Sequence, residues 1–239
     1  MQAISIKKLI ALSLYAMLFL PLIGLASCGQ GTSSAGGTTG VQIDWVNFMR
    51  FQGITYLAGS QHIPPALLGP KFAQVKFKLE GIINDPNYHS KDGDAAFLNA
   101  GTEVYTVKGY RSTFRLAAYQ GQALVLFEAD TNPMAKHGSD LVDIAGKVRS
   151  IGVNSAQDGK LQLGAIKDSQ EVTSLVNMVL AAPVNQQFMG SDGTQYVVVF
   201  YLNDGTSLSR MFWLKSDELS RGIMLPKAFG IAIQQAAVK

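Results

Sequence analysis

Cysteine is almost absent from this sequence of 239 residues, which contains a single thiol, Cys28. The rest of the chain therefore has no disulfide, no cysteine metal site and no cysteine nucleophile. A folded part of this kind is stabilised by its core alone. The composition supports such a core, because 47% of the residues are hydrophobic and only 15% are charged.

Histidine is scarce, and the net charge of the chain is small. The three histidines, His62, His89 and His137, lie in segments containing Pro, Gly or Asn and form no i, i+4 pair, so the sequence predicts no zinc site. The formal net charge of +3 includes Lys7 and Lys8, and removing these two gives +1 for the remainder. No basic run is typical of a nucleic-acid interface, so nucleic acid is not an expected partner.

Recognisable catalytic motifs are missing as well, since the sequence has no G-x-S-x-G elbow, P-loop or G-x-G-x-x-G fingerprint. In the loop over 84–103, Asp92, Asp94 and Glu103 have the spacing of EF-hand positions 1, 3 and 12. However, Phe97 stands where that loop needs Gly, and Ala96 has no ligand oxygen. We therefore expect no catalytic residue, no cofactor and no metal ion.

The N-terminal 28 residues have three parts. Two lysines precede an uncharged run over 9–26, and small residues follow up to Cys28. That order is typical of a secretory signal peptide. The alternative is an uncleaved helix over 9–26, which is just long enough to span a bilayer. A proline and a glycine within the run disfavour that helix.

The tetrapeptide Leu25-Ala26-Ser27-Cys28 resembles the lipobox of bacterial lipoproteins. The resemblance implies that the Cys28 sulfur receives diacylglycerol, that cleavage follows on its N-terminal side, and that the new amino group is acylated, with palmitate for example. Two or more acyl chains hold a protein stably on a bilayer, whereas one holds it only marginally. We therefore expect a lipid anchor on Cys28 that holds the protein on the cell membrane, facing the extracytoplasmic side.

Composition and pattern divide the chain into four segments. Residues 1–27 are predicted to be the lipoprotein signal peptide, 28–40 a flexible tether of small residues, 41–132 a β-rich module and 140–239 a second domain. The predicted fold class is α+β. An N-terminal all-β module, small and barrel-like, is followed by a ββα-ββα antiparallel sheet domain with its helices on one face.

Alternation of apolar and polar residues predicts β-strands in the first module. In "AQVKFKLEGII", Val75, Phe77 and Leu79 alternate with charged residues, which indicates a half-exposed strand. Three short strands follow over 102–130, separated by the turn-rich segments "KGYRS" and "YQGQ". The pattern therefore predicts a module of strands joined by short turns.

The second domain is predicted to begin with a hairpin that turns at Asp158-Gly159. A helix follows in "DSQEVTSLVNMVLAA", where Asp168 and Glu171 have the spacing of a capping box and Pro183 ends the run. Its apolar residues fall on one face, which indicates packing on a sheet. The same order of elements then repeats, with a second helix over 226–237.

The second hairpin is predicted to close with a two-residue turn at Asp204-Gly205. This register places Tyr196 opposite Trp213 and makes both faces of the hairpin largely apolar. Such a hairpin is either covered on both sides or exposes an aromatic surface to a partner.

The expected function follows from this hairpin, which carries the densest cluster of the residue types that favour interfaces. The candidate binding surface consists of Tyr196, Tyr201, Arg210 and Trp213. We expect Tyr201 or Trp213 to be partly exposed, and the partner to be a protein, a peptide or an envelope polymer. The predicted role is a non-enzymatic binding module at the envelope surface. The alternative is an exported hydrolase, in which a Ser, a His and an Asp converge in space.

Overall fold

The computed structural model describes residues 43–187 and 190–238, which belong to one compact unit. The predicted signal peptide, Cys28 and the tether over 28–40 lie outside the described residues. No helix within these ranges has the length and apolar character needed to cross a lipid bilayer.

The fold is α+β and largely sheet, and its first sheet is a curled half-barrel of eight strands. In chain order its strands are β1 (Phe48–Phe51), β2 (Ile54–His62), β3 (Leu68–Gln74), β4 (Phe77–Lys78), β5 (Asp94–Ala95), β6 (Glu103–Val107), β7 (Arg115–Gln120) and β8 (Ala123–Thr131). They are ordered β3-β6-β7-β8-β2-β1-β5-β4, and β4 runs parallel to β5. The turn between β7 and β8 has two residues, and Gly121 supplies the positive φ of 63° that such a turn requires.

The second sheet has six antiparallel strands in the order β10-β9-β11-β12-β13-β14. Its strands are β9 (Val148–Ser155), β10 (Gln162–Ile166), β11 (Gln195–Leu202), β12 (Ser207–Trp213), β13 (Glu218–Leu219) and β14 (Ile223–Met224). The helices are α1 (Gly138–Leu141), α2 (Ser169–Ala181) and α3 (Lys227–Val238). The short hairpin β13–β14 lies between β12 and α3 and was not predicted. Glu218 of β13 and the turn after it line one of the cavities described below.

Helices α2 and α3 share one apolar core with the second sheet. Helix α2 begins at the predicted N-cap, because the Asp168 side chain accepts hydrogen bonds from the backbone N–H groups of Gln170 and Glu171. The core is formed by strand residues Ile151, Val153, Val198, Phe200, Leu208 and Phe212 together with helix residues Val172, Leu175, Val176, Val179, Phe229 and Ile233. Local signals in the sequence therefore located α2 and its buried face.

The prediction of a two-residue turn in the hairpin β11–β12 was wrong. The Leu202 N–H donates to the Thr206 carbonyl oxygen at 2.8 Å, so three residues, 203–205, form the loop. Gly205 adopts φ 87°, as the last position of such a loop requires. The longer loop is stabilised by Asp204, whose Oδ1 accepts from the Thr206 N–H at 2.9 Å and from its hydroxyl at 2.7 Å.

The longer loop shifts the pairing of the two strands by one residue. Tyr196 lies opposite Phe212, where the prediction had Trp213. Because side chains alternate between the faces of a sheet, a shift of one residue exchanges the two faces. Phe212 is therefore fully buried in the core, and Trp213 is left partly exposed.

Candidate functional site

A buried ion pair joins the two sheets. Arg115 on β7 is fully buried, and its Nε and Nη2 donate to Oε1 of Glu128 on β8 at 3.1 and 2.6 Å. The same guanidinium donates to the Thr206 hydroxyl at 2.8 Å and to the Ser207 carbonyl at 2.9 Å. These two acceptors lie at the start of β12 in the second sheet. Arg115 therefore ties the first sheet to the hairpin β11–β12.

Tyr110 extends this contact beneath Arg115, whose guanidinium carbon lies 4.6 Å from the ring centroid. The Tyr110 hydroxyl donates to Asp204 Oδ2 at 2.7 Å. Burial and this hydrogen bond raise the pKa of Tyr110 to about 12. Burial also acts to raise the pKa of Asp204, but the hydrogen bonds from Tyr110 and Thr206 outweigh it and lower that pKa. At neutral pH the phenol therefore stays protonated and the carboxylate stays ionised.

A row of charged side chains lies along β8. Glu128 Oε2 accepts from Arg210 Nη1 at 3.3 Å, and Asp130 is paired with Arg221. Glu128 and Asp130 are two residues apart, so both side chains point to the same side of the strand. Arg221 adopts φ 78°, a backbone conformation that costs a non-glycine residue on the order of 1–3 kcal/mol. This strained residue brings a guanidinium to Asp130.

Two adjacent cavities flank this row and share Asp130 and Arg221 in their walls. We call these two cavities, together with the charged residues between the two sheets, the cleft. The larger, which we name the Glu218 cavity, has a volume of about 350 Å³. Glu218 and Trp213 contribute to its wall, as do the apolar side chains of Leu141 and Val184. Its residues come from the end of β8, α1, the segment after α2, β12, β13 and the turn after β13. The cavity therefore exists only where the two sheets meet.

The smaller, which we name the bulge cavity, has a volume of about 210 Å³. It lies beside an irregularity in β2, where the pairing with β8 shifts between Ala58 and His62. Gln61 in this bulge donates to the Ser207 carbonyl and accepts from the Ser207 N–H, each at 2.8 Å. The bulge therefore binds the edge of β12 through a side chain.

Glu218 is the least satisfied charged side chain of the Glu218 cavity. It is 1% exposed, and its Oε2 has no hydrogen-bond partner among the described residues. Burial raises its pKa, although the backbone N–H groups of Gly190 and Gly222 favour the ionised form. Burial also raises the pKa of Asp130, against the charges of Arg221 and Arg210. Two carboxyl groups with raised pKa values thus share one cavity, which is typical of functional sites.

The structure separates the predicted surface residues. Tyr196 is 9% exposed and packs in the core under the helices. Tyr201 is partly exposed and covers Gly152, where an added Cβ would lie 2.9 Å from the Tyr201 ring. Arg210 is held by Glu128, whereas Trp213 is partly exposed in the wall of the Glu218 cavity. The four residues therefore do not form one continuous surface.

Sequence reasoning missed the charged residues of the cleft, which are Arg115, Glu128, Asp130, Glu218 and Arg221. One local signal was present, since Arg115 is a lone charge in the apolar segment "TFRLAA". A charged residue is almost never fully buried without a partner. Its partner in the second sheet lies about ninety residues away in the chain, as the Arg115–Thr206 separation of 91 shows, so the sequence could not identify the pair.

The histidines and the predicted acidic loop lie apart from the cleft. His62, His89 and His137 are exposed, and none of the three lines either cavity. Asp94 is buried, and its Oδ2 accepts from the Tyr88 hydroxyl at 2.8 Å and from the Lys91 N–H at 2.7 Å. Within residues 43–187 and 190–238, no group of three or more His, Cys, Asp or Glu side chains is placed to hold a metal ion.

Comparison with known proteins identifies no relative. No protein family, curated protein or solved structure matches the chain. The function is therefore inferred from the N-terminal sequence and from the residues of the cleft.

Proposed function

We propose that this chain is a membrane-anchored extracytoplasmic lipoprotein whose folded part is a non-enzymatic binding module. Anchoring is supported by the resemblance of residues 25–28 to a lipobox and by the position of Cys28 after an apolar run. Binding is supported by one observation above all. Glu218 is buried in a cavity wall with an unpartnered oxygen, in a chain whose other charged cleft residues are paired.

An unpartnered buried carboxyl oxygen destabilises a protein, because its desolvation is not compensated by a hydrogen bond. Native proteins contain few such atoms, and each calls for a structural or functional explanation. Arg221 adds a second unfavourable feature to the same cavity, its strained backbone. Strained residues cluster at ligand-binding sites. We infer that the ligand site is the Glu218 cavity.

The size of the Glu218 cavity limits what enters it. About 350 Å³ is near the lower end of the range for ligand pockets. The cavity accommodates a small molecule, or one group that projects from a peptide, a protein or an envelope polymer. The partner classes expected from the sequence are therefore retained, with the cleft in place of the hairpin surface as the point of contact.

The architecture behind the site is inferred to be a small barrel-like module followed by a ββα-ββα domain. The curl of the first sheet supports the first part, and the shared core of α2 and α3 supports helices on one face of the second sheet. In this arrangement the ends of β8 and β12 meet between the two modules. The cleft is then a site between modules, a common position for ligand pockets.

A crosslinking experiment tests the proposal on the intact lipoprotein in its own membrane. Ser220, which lines the Glu218 cavity, is replaced in Ser220→Trp so that the indole fills the cavity. The control Gln157→Trp adds the same indole to an exposed loop. We expect the crosslinked product of the wild type to be kept by Gln157→Trp and lost by Ser220→Trp. An unchanged product in Ser220→Trp contradicts a binding role for the cleft.

A further inference from the structure

We propose that the Glu218 cavity binds an organic ammonium group, with Glu218 as its counter-charge and the Trp213 indole as its contact surface. This inference rests on the proposed function and adds the chemical class of the ligand. The relevant cation carries its charge on nitrogen and has attached carbon groups, as a small amine, a quaternary ammonium compound or a lysine side chain does.

The balance of charge distinguishes the two cavities. The bulge cavity is lined by Arg210 and Arg221 and by Glu128 and Asp130, so its charges cancel. The Glu218 cavity is lined by Arg221, Asp130 and Glu218. Arg221 and Asp130 form an ion pair with each other, which leaves Glu218 without a cation among the described residues of the wall. A positive ligand group would supply the missing charge.

The position of Trp213 suits the same ligand. Trp213 on β12 lies directly opposite Glu218 on β13, so the two side chains are neighbours on one side of the sheet, with Cβ atoms about 5 Å apart. The face of an indole attracts a cation within about 6 Å of the ring centroid. Gly190 packs against the indole, since an added Cβ there would lie 2.6 Å from Trp213 Cε2. The ring is therefore held in place before a ligand arrives.

Other classes of ligand fit the Glu218 cavity less well. An anion would be repelled by the uncompensated carboxylate, and a divalent metal ion favours several carboxylate ligands, a cluster absent from the described residues. A neutral ligand would leave the Glu218 charge unmatched in a site of low exposure. Leu141 and Val184 add an apolar surface that suits the methyl and methylene groups of an organic cation.

Binding is measured by calorimetry on the intact lipoprotein in detergent. Choline is compared with 3,3-dimethylbutan-1-ol, which has the same shape and no charge. Nα-acetyl-lysine amide is compared with Nα-acetyl-norleucine amide, so that a free ammonium compound and a lysine side chain are tested separately. We expect at least one cation to bind at least tenfold more tightly than its neutral counterpart.

Two variants test whether the preference for a cation arises in the Glu218 cavity. Glu218→Gln keeps the shape of the side chain and removes its charge, and Trp213→Leu removes the aromatic face. We expect each to weaken binding of the cation at least tenfold. The control Glu80→Gln removes the same charge from an exposed side chain in the turn after β4 and should leave binding unchanged.

The outcomes separate the inference from the proposed function. Equal binding of a cation and its neutral counterpart by the wild type overturns the inference without requiring any variant to fold. Wild-type affinity for the cation in Glu218→Gln overturns it as well. In both cases, loss of the crosslinked product in Ser220→Trp still supports the cleft as a binding site. If no probe binds and Ser220→Trp keeps its crosslinked product, both proposals fail.

Discussion

Arg115 and Glu128 lie directly opposite each other on β7 and β8, and two nitrogens of the guanidinium donate to the same carboxylate oxygen at 3.1 and 2.6 Å. The Arg115 side chain has no exposed surface, and that of Glu128 is 14% exposed. Glu128 also accepts from Arg210, which lies on β12 of the second sheet. The pair therefore connects strands of both sheets at a point that water hardly reaches.

Glu128→Ala is expected to lower the free energy of unfolding by about 3–5 kcal/mol, because it leaves a buried guanidinium uncompensated. Urea unfolding followed by fluorescence measures the change. The control is Lys71→Ala, which removes one partner of the exposed Lys71–Glu103 pair and should have a much smaller effect. Equal effects of the two variants would show that the buried pair contributes no more than a surface pair.

Phe200→Ala is expected to lower the free energy of unfolding by about 3–5 kcal/mol, since Phe200 is fully buried under the helices and truncation leaves a cavity. The adjacent Tyr201 points to the other face of the sheet and is partly exposed. Tyr201→Ala should therefore lower the free energy of unfolding by less than Phe200→Ala. Thermal unfolding of both variants compares the two faces, and the reverse order would contradict the observed register.

Acid should destabilise the protein through Asp204. Its pKa is lowered in the folded state, so the ionised carboxylate contributes stability above its ordinary pKa of 3.8, and this contribution is lost as the pH falls through the folded value. Asp204→Asn should be less stable than the wild type at pH 7 and should lose less stability on acidification. Urea unfolding between pH 3 and pH 7 measures both effects. Parallel pH profiles for the two proteins would contradict this role.

Glu218 should have the opposite dependence on pH. Its pKa is raised in the folded state, so folding is favoured below its ordinary pKa of 4.5 and loses this contribution as the pH rises from there through the folded value. Asp130 and Arg221, which line the same cavity, remain unchanged in Glu218→Gln. The variant should be at least as stable as the wild type at pH 7. A loss of stability at pH 7, with no loss in Glu80→Gln, would show that the ionised Glu218 is stabilised in the fold.

Cys28→Ala is expected to move the protein, without lipid, from the membrane fraction to the soluble fraction, since acylation of Cys28 supplies the proposed anchor. Cell fractionation and labelling with a radioactive fatty acid measure both properties. Ser27→Ala keeps a small residue before Cys28 and should behave as the wild type. A full-length Cys28→Ala protein that stays in the membrane would favour the alternative of a membrane-spanning helix over 9–26.

Features that depend on neighbouring residues could be predicted from the sequence. Asp168 identified the start of α2 because an N-cap bonds to backbone N–H groups two and three residues later. Val75 and Leu79 are buried as the alternating pattern predicts, but their segment does not form the single strand predicted, because β3 ends at Gln74 and β4 contains only Phe77–Lys78. The turn at Gly121 followed from glycine's access to positive φ. These signals act over a few residues, so they can be recognised in the sequence without knowledge of the tertiary structure.

The register of β11–β12 and the composition of the cleft depend on contacts between distant segments of the chain and could not be predicted. The Asp204 loop has three residues because Thr206 donates twice to the Asp204 carboxylate, while the Thr206 hydroxyl also accepts from the distant Arg115. That single extra residue sends Phe212 to the core and Trp213 to the other face, where the pairing of β12 with β13 places Glu218 beside it. Charged side chains interact through space, and Arg115 meets Thr206 and Ser207 only when the two sheets pack together.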